Sequence, residues 1–162
     1  MHTVESLRIL QVTDLHLRAA RDGELYGVRT DESFRAVMER ALGDPEWRPE
    51  AILVTGDLAE DPVRDVYQRF RSIMEPLGLP VLCLPGNHDD PALMAEIVDA
   101  GALSYCSGRS IGRWRLVLLD TVVPGEAGGA LSDSELRQAL QIGTCTKYGS
   151  ISTTWCDNPE VC

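Results

Sequence analysis

Apolar and polar positions follow two distinct periods along this chain. Four short runs, residues 7–13, 51–55, 81–84 and 115–119, are dominated by Leu, Ile and Val and lead directly into polar residues. Runs of this length bounded by turn-forming residues predict buried strands. Between them the spacing becomes helical. Phe34, Val37, Met38, Ala41 and Leu42 recur at i, i+3, i+4, i+7 and i+8 behind Asp31, which is suited to cap the helix. Asp61-Pro62 opens a second predicted helix, with Val63, Val66, Phe70, Ile73, Met74 and Leu77 as its stripe. Asp90-Pro91 repeats the signal ahead of Leu93, Met94, Ile97 and Val98, with Gly101 beyond the end. Ser132 and Glu135 match a capping box for a helix running to about residue 140.

Short apolar strands alternating with amphipathic helices predict an α/β fold with a largely parallel sheet. Ligands of such sheets bind outside the carboxyl ends of the strands. In this chain those ends carry Asp14, Asp57, Asn87 and Asp120.

Composition narrows the classes. A net charge of -10 argues against nucleic-acid binding, which needs Lys and Arg to displace counterions. The same charge is compatible with a carboxylate-rich metal site, although a solvated acidic surface accounts for most of it. No apolar run exceeds four residues, so no membrane span is predicted. Residues 1–12 lack the apolar core of a signal peptide, and a cytoplasmic location is the expectation. Cys83 falls in an apolar run and reads as a small buried hydrophobe, whereas Cys106 has no evident role. Residues 141–162 depart from the rest, with Cys145, Cys156 and Cys162 among Ser, Thr and Gly and no clear strand. They read as a tail separate from a domain over residues 1–140. Packing through Trp155 and a disulfide is the alternative.

Chemistry concentrates at three of the strand ends. Asp14 and His16 lie two apart, so an extended backbone would point both to one side as a carboxylate–imidazole metal pair. Gly56-Asp57 adds a carboxylate after a residue that permits a sharp bend. Gly86-Asn87-His88-Asp89 adds an amide oxygen, an imidazole and a carboxylate in one loop. An amide oxygen can ligate a metal, and an imidazole can move a proton. Each block alone is an ordinary turn; three in order after three strands are not.

Thr13-Asp14-Leu15-His16, Thr55-Gly56-Asp57-Leu58 and Pro85-Gly86-Asn87-His88-Asp89 resemble the first three motif blocks of the calcineurin-like metallophosphoesterases. Tyr26-Gly27-Val28-Arg29-Thr30 and Gly56-Asp57-Leu58-Ala59-Glu60 resemble the class III cyclic nucleotide phosphodiesterase branch. The resemblance spans about residues 5–140. It implies a layered β-sandwich flanked by helices and two divalent or mixed-valence ions, iron, manganese or zinc. It implies that Asp14 and His16 bind the first ion, that Asp57 bridges both, and that Asn87 binds the second ion and the phosphate. His16, Asp57, Asn87 and His88 would face the substrate, a small phosphodiester or cyclic nucleotide. His88 would protonate the leaving oxygen, and Asp89 would orient His88.

The family completes its site with three further His ligands. This chain has three His in all, His2, His16 and His88, and none follows His88. The expectation is therefore a shortened member with partial metal occupancy. The function the resemblance implies is metal-dependent phosphodiester hydrolysis, with a 3′,5′-cyclic nucleotide as the leading substrate; the alternative is a catalytically impaired remnant acting at most as a weak metal-binding or interaction domain. An exposed sheet edge offers a route to homo-oligomers.

Overall fold

The computed structural model describes residues 6–141 and 148–151. In chain order the elements are β1 (Ile9–Val12), a small hairpin of β2 (Glu24–Leu25) and β3 (Val28–Arg29), α1 (Thr30–Leu42), β4 (Ala51–Thr55) and α2 (Arg64–Met74). A 3-10 turn over Glu75–Leu77, β5 (Val81–Leu84), α3 (Pro91–Val98), β6 (Leu103–Tyr105), β7 (Arg109–Ile111), β8 (Trp114–Leu118), α4 (Asp133–Gln141) and β9 (Tyr148–Ile151) follow.

Strands β1, β4, β5 and β6 form a parallel sheet in the order β1-β4-β5-β6, with Leu10 opposite Ile52 and Leu53 opposite Leu82. A second sheet pairs β7 antiparallel and β9 parallel to β8. Side chains alternate across the first sheet. Val12, Ile52, Val54, Val81 and Cys83 join Phe34, Phe70, Met74 and Met94 in one core on the helical side. Ala51, Leu53, Leu82 and Leu84 join Leu116 and Leu118 in a second core between the sheets. With both faces covered, β4 is apolar from Ala51 to Val54 and β5 throughout, which is why the sequence shows continuous rather than alternating runs. Each such Leu, Ile or Val contributes about 1.5–3 kcal/mol on burial. The architecture is the expected one: helices on a parallel sheet, backed by a second sheet.

Several local expectations are corrected. Asp31 does not cap α1; the cap position is Arg29, without a side-chain bond, and Asp31 is spent on Arg35 and Arg69. Asp61 does not cap α2, which begins at Arg64; its carboxylate accepts the Ala19 N–H and meets Arg18. Val63, which precedes α2, and Val37 lie outside the buried stripes, 44% and 54% exposed. Tyr67, absent from the predicted stripe, is fully buried. Asp90 does cap α3, accepting from the Ala92 and Leu93 amides. The Ser132 hydroxyl accepts the Glu135 amide at 3.2 Å. A strand after residue 143, not expected from Tyr148-Gly149-Ser150-Ile151, gets its ladder from the edge of β8. Cys83 is buried as expected, and burial pushes its thiol well above the usual range. Cys106 is half-buried, its thiol pushed up to about 12 by burial and by Asp120. Cys145, Trp155, Cys156 and Cys162 lie outside the described residues. No helix among the described residues is long and apolar enough to cross a membrane.

Candidate metal centre

The parallel ladder does not stop where β1 and β4 end. The Asp14 amide donates to the Gly56 carbonyl (3.1 Å), the His16 amide to Asp57 (2.9 Å) and the Leu17 amide to Leu58 (2.9 Å). The two loops therefore run side by side past the sheet. Asp14 (φ 56°), His16 (φ 44°) and Asp57 (φ 47°) all adopt left-handed backbone, uncommon outside glycine and concentrated at functional sites. Asp14 and His16 do face one side, as expected, but through these two left-handed turns rather than through extended chain. Gly56 supplies the predicted bend at φ 98°.

His16 Nε2 lies 3.8 Å from Asp14 Oδ1 and 4.0 Å from Asp57 Oδ2. Asp57 is buried, and its Oδ1 accepts the His88 amide at 3.0 Å. Its carboxylate fits against Gly86, where a Cβ would stand 2.1 Å from Oδ1. Only glycine leaves that room. Thr13 donates to Asp14 Oδ2 at 2.6 Å.

Glu60 completes the arrangement, and sequence reasoning missed it. Its Oε2 lies 2.9 Å from His16 Nδ1 and 3.3 Å from His88 Nδ1, and its Oε1 lies 3.8 Å from Arg18. The two imidazoles meet edge to face with centroids 5.1 Å apart. A carboxylate at Nδ1 favours the proton there, which leaves the His16 Nε2 lone pair facing Asp14 and Asp57. In the sequence Glu60 stands out only as the last residue of the motif over residues 56–60, which assigns it no role.

Asp89 takes a different place from the one expected. Its carboxylate accepts the amides of Gly86 (2.9 Å), Leu58 (3.1 Å) and Ala59 (2.9 Å) and the Tyr67 hydroxyl (3.2 Å). It thus sews the loop of His88 to that of Asp57, while Glu60 is the acid that meets the His88 ring. Burial pushes the Asp89 carboxyl above its usual value, and the four donors pull it back. Burial and the neighbouring Asp89 raise the Tyr67 phenol, which therefore stays a protonated donor. Asn87 shares with Asp57 a narrow cleft whose far wall is the turn over residues 121–129. Asp120, at the end of β8, is used in that turn, accepting the Val122 amide at 2.9 Å.

Asp14, His16 and Asp57 offer donor atoms within 4.8 Å of one another, as do His16, Glu60 and His88. Ligand bonds of about 2.0–2.2 Å place neighbouring donors roughly 3–4 Å apart. The mixed carboxylate–imidazole set therefore fits one divalent metal ion. Asn87 lines the same cleft as Asp57 and carries an amide oxygen, a further donor type for an ion.

The family model described as calcineurin-like phosphoesterase matches residues 7–135. A 3′,5′-cyclic adenosine monophosphate phosphodiesterase CpdA of Escherichia coli is 41% identical over 132 residues, covering 80% of this chain and 47% of that protein. The CpdA of Pseudomonas aeruginosa is 36% identical over 134 residues, with 83% and 48% covered. A 3′,5′-cyclic-nucleotide phosphodiesterase of Nostoc is 36% identical over 164 residues, with 93% and 60% covered. The chain spans about half the length of the curated relatives it matches.

Proposed function

Because this chain belongs to the calcineurin-like phosphoesterase family, we propose that it forms the amino-terminal half of a metal-dependent phosphodiesterase for 3′,5′-cyclic nucleotides. One observation carries the reading. Asp14, His16 and Asp57 converge at the ends of adjacent parallel strands, and Glu60 turns the His16 ring so that Nε2 faces both carboxylates. The substrate class comes from what the relatives are named.

In this reading Asp14, His16 and Asp57 would hold one ion, and Asp57 and Asn87 would hold a second. Bound divalent ions supply charge neutralisation at the phosphate and a hydroxide nucleophile near neutral pH. The chain's own residues do the rest. Gly86 and the His88 amide fix the Asp57 carboxylate. Asn87 reaches the phosphate from the same cleft. His88, with a 41% exposed side chain and Nδ1 held by Glu60, presents Nε2 for protonating the leaving oxygen. Such a positioned acid contributes on the order of 100- to 10,000-fold. Asp89 serves as a positioning residue through the two loops it joins.

The test is hydrolysis of a chromogenic phosphodiester by the full chain with Mn²⁺, beside Asp57→Asn. The expected result is a rate at least ~100-fold lower for the variant. Equal rates, or no hydrolysis by either, would sink the enzymatic reading for this chain. The second reading is a metal-binding domain without turnover. It is favoured by the histidine count: the sequence holds three His, and among the described residues His16 and His88 reach the site. Uptake of fewer than two ions per chain with no hydrolysis would select it.

A further inference from the structure

Asp31 and Arg69 form a buried ion pair apart from the candidate metal ligands. Arg69 Nε meets Asp31 Oδ2 at 2.9 Å, with side chains 6% and 10% exposed respectively. The other Asp31 oxygen is held by Arg35 at 2.8 Å. A buried ion pair is weak evidence for stability, because desolvation offsets much of the attraction. Its remaining hydrogen bonds indicate another role. Arg69 Nη1 donates to the Ala19 carbonyl at 3.2 Å, and Nη2 donates to the Arg18 carbonyl. From the opposite side Asp61 accepts the Ala19 amide at 2.8 Å. Leu17, fully buried, bridges to Ala59. The segment leaving His16 is thus gripped at every residue from 16 to 19, directly after a non-glycine residue at φ 44°. Left-handed backbone of that kind persists only where its surroundings over-determine it.

We propose that Arg69, anchored by Asp31, is a positioning residue for the metal ligand His16. The guanidinium fixes the carbonyls of residues 18 and 19, and through them the turn that aims the His16 ring at Asp14 and Asp57. The planar fork of arginine suits this, since one rigid group reaches a carboxylate and two carbonyls together. The proposal rests on the metal-centre reading given above.

The experiment is Mn²⁺ titration of the full chain by calorimetry, with hydrogen exchange followed over residues 14–20. Arg69→Met is expected to weaken Mn²⁺ binding at least ~10-fold and to speed exchange in that segment, a size typical of losing a group that orients a ligand. Met74→Ala, fully buried further along α2, is the control. It should lower the melting temperature yet keep Mn²⁺ affinity within about two-fold. Wild-type affinity in Arg69→Met overturns the proposal. So does an equal loss in Met74→Ala, because affinity would then follow overall stability. If Arg69→Met does not fold, Arg69→Lys decides, since an ammonium keeps the charge facing Asp31 but cannot span both carbonyls. A several-fold loss in Arg69→Lys supports the clamp, and wild-type affinity overturns it. No Mn²⁺ uptake by the unaltered chain sinks the metal-centre reading and the clamp with it. Normal uptake indifferent to Arg69 sinks the clamp alone.

Discussion

Glu60 holds two imidazoles with one oxygen, and the orientation of His16 depends on it. Replacing it with Gln keeps the shape and removes the charge that stabilises the proton on Nδ1. Glu60→Gln should therefore weaken Mn²⁺ binding about 10- to 100-fold in a calorimetric titration; unchanged affinity would show that the ring is fixed by other means. Gly86 is a second single-residue dependence. A Cβ there would meet Asp57 at Oδ1 (2.1 Å) and at its backbone N (2.4 Å), so the backbone must move. Gly86→Ala should lower stability by about 1–3 kcal/mol in urea unfolding and weaken metal binding in parallel. Asp14, His16, Asp57 and Asn87 were legible from sequence because their side-chain chemistry and their place after strands are both local facts. Glu60 was not, because its partner His16 is 44 residues away and the contact exists only once β1 and β4 lie side by side.

Among the elements, three aspartates expected at helix starts met different fates. Asp90 caps α3, whereas Asp31 and Asp61 are diverted to Arg69, Arg18 and the Ala19 amide. A carboxylate accepts whichever donors the tertiary structure brings, and charged or buried donors outcompete a solvated helix end. Asp90→Ala should accordingly cost about 1 kcal/mol, the usual value of a lost N-cap, read from the shift of the urea midpoint. No change would mean that water replaces the cap at no cost. The central strands were legible because burial on both faces demands continuous apolar runs. Strands β6 and β7 were not. Leu103-Ser104-Tyr105 and Arg109-Ser110-Ile111 are three residues each and partly polar, and they are strands by virtue of the neighbours that pair with them.

At the scale of the molecule, the site joins loops from three strands of one sheet, so a bound ion ties those loops to each other. An ion that binds the folded state alone stabilises it by about 2.7 kcal/mol at 100 times its dissociation constant. Mn²⁺ should therefore raise the melting temperature of the chain and EDTA should reverse it. Asp57→Asn should abolish the difference; a melting temperature indifferent to Mn²⁺ would speak against the metal centre. The layered fold follows from how the sheet divides its side chains, with Ile52, Val54 and Cys83 toward the helices and Leu53, Leu82 and Leu84 toward the second sheet. The sequence by itself determined the alternation of the long apolar strands with helices, the parallel character of the first sheet and the identities of the acid, amide and imidazole groups at its carboxyl end. These depend on periodicity and residue type, both properties of the chain alone. Tertiary structure decided which acid serves which partner: Asp89 for the loop amides, Glu60 for the two imidazoles, Asp31 for Arg69. It also decided that Asp14, His16 and Asp57 meet through left-handed backbone, because that strain is sustained by bonds between loops far apart in sequence.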